Sequence, residues 1–333
     1  MGKMMKRYLA GMILIIAPTL FAGAPIVNNV TFAQRTNGSF LVDIYFDAID
    51  TDGDILEILI EASIDSGKTW TVPCSTLTGD VGKNIEPGNA KHVIWDFYAD
   101  MPDTNSNDFI IRVTAEEFAI DTDGNAYPII MIGNQDWFAQ NIKTTHYRNG
   151  DPIPLITDNT EWTNTTTPAC CIYNNNEDNA AIYGNLYNWY AIDDKRNIAP
   201  RGWYVPKDED FLILERYLGM STEQSNKSGW RGQDEGGKLK SKGTREKGTG
   251  KWFEPNTGAT NESGFTALPA GYRNCYTGEF YQQGLYSYFW SATEVNSESA
   301  WYRYLFYSRS DIYRYDLHKN QGLSVRLVRP SKK

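Results

Sequence analysis

The stretch from 183 to 219 constrains the fold most, because both its punctuation and its apolar spacing are clear. Two prolines, Pro200 and Pro206, bound a short strand-like run that holds a Gly-Trp turn, and neither proline fits inside a helix. The segment before them predicts a helix with an apolar face made of Leu186, Trp189 and Tyr190. The segment after them predicts a second helix, which begins with acidic residues, ends at Gly219 and buries Phe211, Leu212, Leu214 and Leu218.

Residues 1–24 have the three parts of an export signal. A basic start precedes an apolar run at 8–21, which is shorter than the roughly 20 residues of a membrane span. Small residues follow at 22–24, and the first cysteine is Cys74, so no lipoprotein anchor is expected here. We therefore expect an exported protein, extracellular or at the cell surface, with no transmembrane span in the mature chain. An uncleaved anchor is the alternative.

Residues 25–115 predict an all-β sandwich. Val42, Ile44 and Phe46 alternate with polar residues, which is the period of a half-buried strand. Further strand candidates lie at 55–64, 91–96 and 108–114, separated by turn residues. Regular short strands of this kind favour an immunoglobulin-like or fibronectin-type-III-like domain. The phrase SIDSGKTW at 63–70 resembles a single Asp-box of sialidase propellers, and we expect it to shape a turn and to do no chemistry.

The chain has a net charge of −9, and its acidic residues concentrate in 25–115. This balance argues against a nucleic-acid partner, since phosphate binding needs a basic surface. Asp50, Asp52 and Asp54 alternate beside a glycine and form a candidate calcium site. A tight turn is the alternative interpretation, because turns require the same residue types. We otherwise expect no cofactor and no essential metal, since the sequence shows no full ligand set.

Six phrases in the second part of the chain resemble one family. In order they read IGNQDW at 132–137, NIKT at 141–144, GATNESGF at 258–265, ALPAGYR at 267–273, WSATE at 290–294 and GLSVR at 322–326. Together with the central stretch they resemble the Fibrobacter succinogenes major paralogous domain family, over roughly 118 to 330. The resemblance implies the C-type-lectin-like fold that formylglycine-generating enzymes share. The predicted fold class is therefore an α+β, C-type-lectin-like main domain at 116–330, preceded by the all-β sandwich.

Several elements of this main domain are predicted from composition. The polar, Asn/Thr-rich segment 155–182 predicts a long surface loop. The Gly- and Lys-rich segment 221–250 predicts an irregular connection with a short helix near 238–240. Strand patterns with aromatic-rich faces follow at 301–307 and 312–316.

The resemblance also implies a packing contact between two distant residues. In that family a cysteine usually precedes the Pro-x-Gly-Trp phrase, and another usually ends the closing strand. Ala199 and Leu327 stand at those positions here. Both cysteines are replaced together, as expected of disulfide partners in an oxidising compartment. The resemblance therefore predicts that Ala199 and Leu327 are buried neighbours, with Cα atoms roughly 4.4–6.8 Å apart.

Catalysis has little support in the sequence. Formylglycine-generating enzymes use a pair of cysteines late in the chain, whereas here only Cys275 follows the adjacent Cys170 and Cys171. The three histidines are scattered without metal-ligand spacing. Glu254-Pro255-Asn256 spells a tripeptide with which C-type lectins bind calcium and sugar, but the Trp-Asn-Asp that those lectins pair with it is missing. We therefore expect no enzyme, no catalytic residue and no lectin-type calcium site.

Binding is the function that the sequence favours. Tyr281, Tyr286 and Tyr288 lie near glycines in a predicted loop, where a ligand approaches aromatic rings closely, and they are the candidate ligand contacts. We expect an exported, non-catalytic binding or adhesive protein of the bacterial cell surface or exterior, with a carbohydrate or a surface protein as its partner. A structural spacer without a ligand is the alternative. An enzyme related to formylglycine-generating enzymes is the less favoured one.

Overall fold

The computed structural model describes residues 25–331 apart from 51, 52, 105 and 107, so the expected export signal at 1–24 lies outside the described residues. Internal contacts divide the chain between Phe118 and Ala119, whereas the sequence placed the boundary after residue 115. We call 25–118 the first unit and 119–331 the second unit. No helix among the described residues combines the length and the apolar character that crossing a bilayer requires.

The first unit consists of strands joined by turns, with one short helix described. In chain order its elements are β1 (Ile26–Gln34), β2 (Leu41–Ile49), β3 (Ile55–Ser63), β4 (Leu77–Gly79), β5 (Gly82–Ile85), β6 (Gly88–Asp96), α1 (Phe97–Asp100) and β7 (Ile110–Ile120). One antiparallel sheet has the order β1-β2-β6-β4. In a second antiparallel sheet, β3 pairs with both β5 and β7.

The core of the first unit draws on both of its sheets. Val42, Ile44 and Phe46 of β2 are buried, which confirms the alternation predicted for this strand. They share one apolar cluster with residues of β3, β6 and β7, including Leu56, Ile58, Val93, Trp95 and Ile111. Branched and aromatic side chains suit this position because they pack well on a pleated surface.

The phrase at 63–70 forms a turn at the end of β3. The Ser63 hydroxyl donates to Asp65 Oδ1 (2.7 Å) and accepts from the backbone nitrogen of Gly67 (2.9 Å). Asp65 also accepts from the backbone nitrogen (2.9 Å) and the hydroxyl (2.8 Å) of Thr69. These bonds, that from Ser63 first, lower the pKa of Asp65 to about 2. The carboxylate is therefore used to hold the turn.

The second unit is also mostly sheet, with short helices. Its elements are β8 (Ala126–Ile132), β9 (Gln135–Phe138), α2 (Asn159–Asn164), β10 (Cys170–Cys171), α3 (Glu177–Tyr183), β11 (Leu186–Tyr187), α4 (Trp189–Ile192), α5 (Asp208–Tyr217), α6 (Thr222–Ser225), β12 (Gly229–Arg231), α7 (Glu235–Leu239), β13 (Tyr272–Arg273), β14 (Phe280–Tyr281), β15 (Tyr286–Glu294), β16 (Ser299–Phe306), β17 (Ile312–His318) and β18 (Val328–Pro330). An antiparallel sheet of order β12-β17-β16-β15, the main sheet, contains the predicted C-terminal strands. Smaller antiparallel pairings join β8 to β9, β9 to β18, β10 to β11 and β13 to β14.

The central stretch is helical mainly in its second half. Helix α5 buries Phe211, Leu212 and Leu214, as predicted. The helix predicted before the prolines is present only in part: Trp189 and Tyr190 lie in the four-residue α4, which the Asn188 side chain caps, whereas Leu186 lies in β11. The run between the prolines forms a turn with a single bridge between Tyr204 and Val328, instead of a strand.

The segment 155–182 contributes to the core, although its composition predicted a surface loop. It contains α2, β10, a 3₁₀ turn at Tyr173–Asn175 and α3, and both Trp162 and β10 are fully buried. Arg273 fixes the segment, because its guanidinium donates to three successive carbonyl oxygens at 156–158 and lies 4.7 Å from the Trp162 ring. The surface-loop prediction rested on the many Asn and Thr residues and did not take account of the few aromatic residues, which are buried.

The segment 221–250 has more regular structure than the irregular connection that was predicted. It contains α6, β12 and α7, and the helix expected near 238–240 overlaps the end of α7. Gly237 permits the close packing of α7, since a Cβ there would lie 2.2 Å from the carbonyl oxygen of Gly258. Glycine therefore serves packing in this segment.

Candidate ligand-binding face

The main sheet separates its side chains into an aromatic face and a cationic face. Successive side chains of a strand point to opposite sides, so an alternating sequence sorts itself. The three strands concerned read Trp230-Arg231 in β12, Tyr302-Arg303-Tyr304 in β16 and Tyr313-Arg314-Tyr315 in β17. The register places Tyr304 opposite both Tyr288 and Tyr313, and Arg303 opposite Arg314. All of these aromatic rings therefore lie on one side and all three arginines on the other.

Six aromatic rings form a continuous row, which we call the aromatic row. It runs through Tyr281, Tyr272, Tyr288, Tyr304, Tyr313 and Trp230, and successive ring centroids are 5.8, 5.2, 5.3, 4.4 and 5.3 Å apart. Tyr286 lies beside the row, 5.4 Å from both Tyr288 and Tyr304. Each such pair contributes about 0.5–1.5 kcal/mol beyond its buried area. The neighbouring rings thus hold one another in place.

Three tyrosines of this face offer hydroxyl groups that no described residue binds. Tyr286, Tyr304 and Tyr313 are partly exposed, and their hydroxyls have no hydrogen-bond partner within the part of the chain that the structure describes. In contrast, the Tyr288 hydroxyl donates to Gln282 Oε1 (2.6 Å). Burial raises the pKa of Tyr286 and Tyr304, so these phenols stay protonated at neutral pH. Each phenol can therefore donate a hydrogen bond to a ligand and accept one from it.

The cationic face is closed by ion pairs to α5. Arg303 donates to Asp208 (2.6 Å) and to Glu215 (2.9 Å). Arg231 donates to both oxygens of Glu215 (2.7 and 2.8 Å), and Arg314 donates to both oxygens of Asp208 (3.0 and 2.6 Å). Burial alone would raise the pKa of Asp208, but Arg314 and Arg303 outweigh it and hold this pKa below its usual value. This buried cluster fixes the strands that carry the aromatic row.

The structure brings the three predicted tyrosines together, but not in a loop. Tyr281 lies on β14, and both Tyr286 and Tyr288 lie on β15. Tyr281 and Tyr286 are half-buried, whereas Tyr288 is only 8% exposed, so the expected exposure was wrong for Tyr288. The three rings lie on strands and pack across them. That packing covers most of the Tyr288 ring.

Sequence reasoning missed Trp230, Tyr304 and Tyr313 as parts of the same surface. The available signal was the aromatic alternation at 301–307 and 312–316, which correctly predicted strands. A period of two shows that two faces exist, but it does not show which of them a helix covers. The alternating arginines, together with the acids at the start of α5, indicate which face the helix covers, since buried arginines need acidic partners.

Residues 130–329 match the model of the Fibrobacter succinogenes major domain family, and this range is more than half of the chain. The chain belongs to this family. No curated protein and no solved structure matches the chain. The matched range contains all six residues of the aromatic row, so the row is part of the Fibrobacter succinogenes major domain itself.

Two arginines in phrases of the Fibrobacter succinogenes major domain act as buried braces. Arg326, of GLSVR, donates to Asn141 Oδ1 (2.7 Å) and to the carbonyl oxygens of Phe138 (2.7 Å) and Phe265 (2.8 Å). Burial lowers the pKa of Arg326 to about 9. Arg273, of ALPAGYR, is fully buried against carbonyl oxygens in the same way. Both side chains join distant segments and are inaccessible to a ligand.

The candidate calcium residues are described only in part. Asp52 lies outside the described residues, and the backbone nitrogen of Asp54 donates to Asp50 Oδ2 (2.7 Å), a bond typical of a tight turn. Across the described residues, no three or more His, Cys, Asp or Glu side chains are grouped as a metal site. Calcium at Asp50, Asp52 and Asp54 stays a prediction.

The residues considered for catalysis or for lectin-type binding are either buried or hydrogen-bonded to the protein itself. Cys170, Cys171 and Cys275 are buried and unpaired. Burial raises the pKa of Cys275, and it raises that of Cys171 to about 12, so these thiols are protonated at neutral pH. In the tripeptide at 254–256, the Asn256 side chain donates to the carbonyl oxygens at 241 and 243 (3.0 and 2.9 Å). Its amide group therefore holds a loop in place.

Proposed function

We propose that this chain is an exported, non-catalytic carbohydrate-binding protein of the bacterial cell surface or exterior, and that its aromatic face contacts the ligand. The observation that carries the proposal is the group of partly exposed tyrosines whose hydroxyls have no partner among the described residues. Carbohydrates present many hydroxyl groups and apolar C–H faces together. Phenol rings match both, because each has an apolar body and a polar tip. Export rests on the basic, apolar and small-residue pattern of 1–24.

The same proposal includes the finer fold assignments. We assign the first unit to the immunoglobulin-like or fibronectin-type-III-like sandwiches, supported by its two antiparallel sheets around one core. We assign the second unit to the C-type-lectin-like fold, as the resemblance implies. An experimental structure tests both assignments, and a strand order incompatible with either fold would reject that assignment.

The tyrosine hydroxyls provide the direct test of carbohydrate binding. A glycan array, probed with the full chain with and without calcium, identifies the best ligand for calorimetry. Replacing Tyr286, Tyr304 and Tyr313 together with Phe removes three hydroxyls but keeps the stacked rings. Because each hydrogen bond contributes about 0.5–1.5 kcal/mol, we expect roughly ten-fold weaker binding or more. The melting temperature should be unchanged.

Tyr276→Phe is the matched control, since Tyr276 is 77% exposed and lies outside the aromatic row. Its affinity should equal that of the unaltered protein. If the triple variant also binds with unaltered affinity, the site is elsewhere. Binding that disappears in chelator would point to the calcium alternative at Asp50, Asp52 and Asp54. A folded protein that binds no glycan contradicts the proposal and favours a surface protein as partner or a structural spacer.

A further inference from the structure

The aromatic row is longer than a single sugar ring. Within the main sheet it crosses β15, β16, β17 and β12, and strands about 4.8 Å apart give it a length of roughly 14 Å there. Tyr272 and Tyr281 extend it beyond β15, on β13 and β14. The centroids of successive rings are all less than 6 Å apart, so the row is continuous. A surface of this kind offers several adjacent contacts to a chain-like ligand.

Charged side chains lie at both ends of the row. At one end the Arg309 guanidinium lies 4.2 Å from the Trp230 ring and donates to both oxygens of Asp311 (2.8 and 2.6 Å). At the other end Glu279 accepts from the Tyr281 hydroxyl (2.6 Å). The cation at the Trp230 end is already paired and the charge at the Tyr281 end is a carboxylate, so neither end offers an acidic ligand a cation to replace the hydration that it loses.

Gln282 places one directed donor beside the row. Its side-chain oxygen accepts from the Tyr288 hydroxyl, which fixes the orientation of the amide group. The amide nitrogen has no partner among the described residues, and Gln282 is partly exposed. The residue is held in a tight turn with φ of +66°, because the backbone nitrogens of Leu285 and Tyr286 both donate to its carbonyl oxygen. A ligand on the partly exposed Tyr286, whose ring lies 5.4 Å from that of Tyr288, would meet this nitrogen as a donor.

We propose that the ligand is an uncharged, extended glycan chain that lies along the aromatic row over several sugar rings. Gln282 Nε2 donates a hydrogen bond to a sugar oxygen next to Tyr288. This inference rests on the proposed carbohydrate binding and specifies its ligand: chain length and neutrality are what the row selects.

Calorimetry with neutral oligosaccharides tests the length requirement on the full chain. The probes are β-1,4-linked glucose, xylose and mannose series, each extended one ring at a time from the monosaccharide to the hexasaccharide. With at least one series, affinity should rise with each added ring, up to roughly ten-fold per ring, and become constant once the row is covered. An oligogalacturonide of equal length is the charged comparison, and it should bind at least several-fold more weakly.

Two variants connect the length effect to the row. Trp230→Ala should weaken binding of the longest oligomers but leave the shortest that bind unaffected, and Tyr281→Ala is the equivalent change at the other end. If circular dichroism shows that Trp230→Ala is unfolded, Tyr281→Ala decides.

Gln282→Glu tests the assigned donor. It keeps the shape of the side chain but replaces the donor by an acceptor, so it should lower affinity several-fold at an unchanged melting temperature.

Two results overturn the inference while the proposed function stands. One is an affinity that is independent of chain length, and the other is a preference for the charged oligomer, provided that the triple Tyr→Phe variant still loses that binding. Equal affinity of Gln282→Glu removes the assigned role of Gln282. Failure of every neutral series, together with an empty glycan array, overturns the inference and the proposed function together.

Discussion

Asp208 is one of the two carboxylates that neutralise the cationic face. It accepts from Arg303 and from two nitrogens of Arg314, and all three side chains are nearly inaccessible to solvent. Replacing Asp208 with Asn would leave these buried guanidinium groups with one carboxylate fewer. Removing one partner of a buried ion pair costs about 3–5 kcal/mol, so we expect a loss of that size in the free energy of unfolding, measured by denaturant titration.

The same substitution has a pH signature. The folded pKa of Asp208 lies below the unfolded value of about 3.9, so its carboxylate stabilises the fold above that pH and loses this effect as pH falls through the folded pKa. The difference between the two proteins should be full at neutral pH and shrink in acid. Glu209→Gln, an exposed neighbour on α5, is the control and should change stability by at most about 0.5 kcal/mol. A difference that persists undiminished in strong acid would contradict this account.

Single residues show how far a sequence predicts a site. The alternation of tyrosine and arginine at 302–304 and 313–315 shows that the two residue types lie on opposite faces. It cannot show that Asp208 and Glu215, about 90 residues earlier, neutralise one face, since that pairing depends on tertiary packing. The partners of Arg326 cannot be predicted from the sequence either, because it binds backbone carbonyl oxygens, which every residue possesses.

Among the elements, the closing segment and the Gly-Trp turn offer a cross-link. Ala199 and Leu327 are both fully buried in one apolar cluster, and Tyr204 bridges to Val328 next to it. The predicted burial is confirmed, and the predicted Cα separation stays a prediction. Replacing both residues with Cys should form a disulfide and stabilise the second unit by about 2–4 kcal/mol. Mass spectrometry detects the bond, and thermal melts with and without reductant measure its effect.

Each single cysteine variant is a control for this cross-link, because neither alone should respond to reductant. Cys170 belongs to the same cluster, so peptide mapping must show that the bond joins 199 to 327. If the double variant remains reduced under oxidising conditions, the two Cα atoms are too far apart. The alignment of the chain's end to the family would then fail as well.

Elements were predicted well where one strong pattern governs them. Helix α5 combines acidic residues in its first turn with an apolar stripe, and both agree with a helix. The segment at 186–190 has helical spacing too, but Asn188 accepts a hydrogen bond from the backbone nitrogen of Ala191 and starts a new element there. The side-chain hydrogen bond of such a cap sets where the helix begins, and the spacing of apolar residues alone does not show this position. The core role of 155–182 depends on Arg273, which lies far along the chain.

At the scale of the whole molecule, the described chain has separate cores. The apolar cluster of the first unit uses residues up to 115, whereas the clusters of the second unit begin at Ala119. No described cluster combines residues of both units. Composition indicated two parts, because acidic residues concentrate in 25–115, and the boundary expected after residue 115 lies three residues before the division between Phe118 and Ala119.

Because each unit has its own core, each should fold alone. A chain of residues 116–331 retains every described core cluster of the second unit and the whole aromatic row. We expect it to unfold cooperatively and to bind the array-selected glycan with the affinity of the full chain, measured by calorimetry. A chain of residues 25–118 is the matched control, which should also unfold cooperatively but bind no glycan. If 116–331 lacks a cooperative transition, the cores are not independent; if it folds but does not bind, the first unit is required for the site.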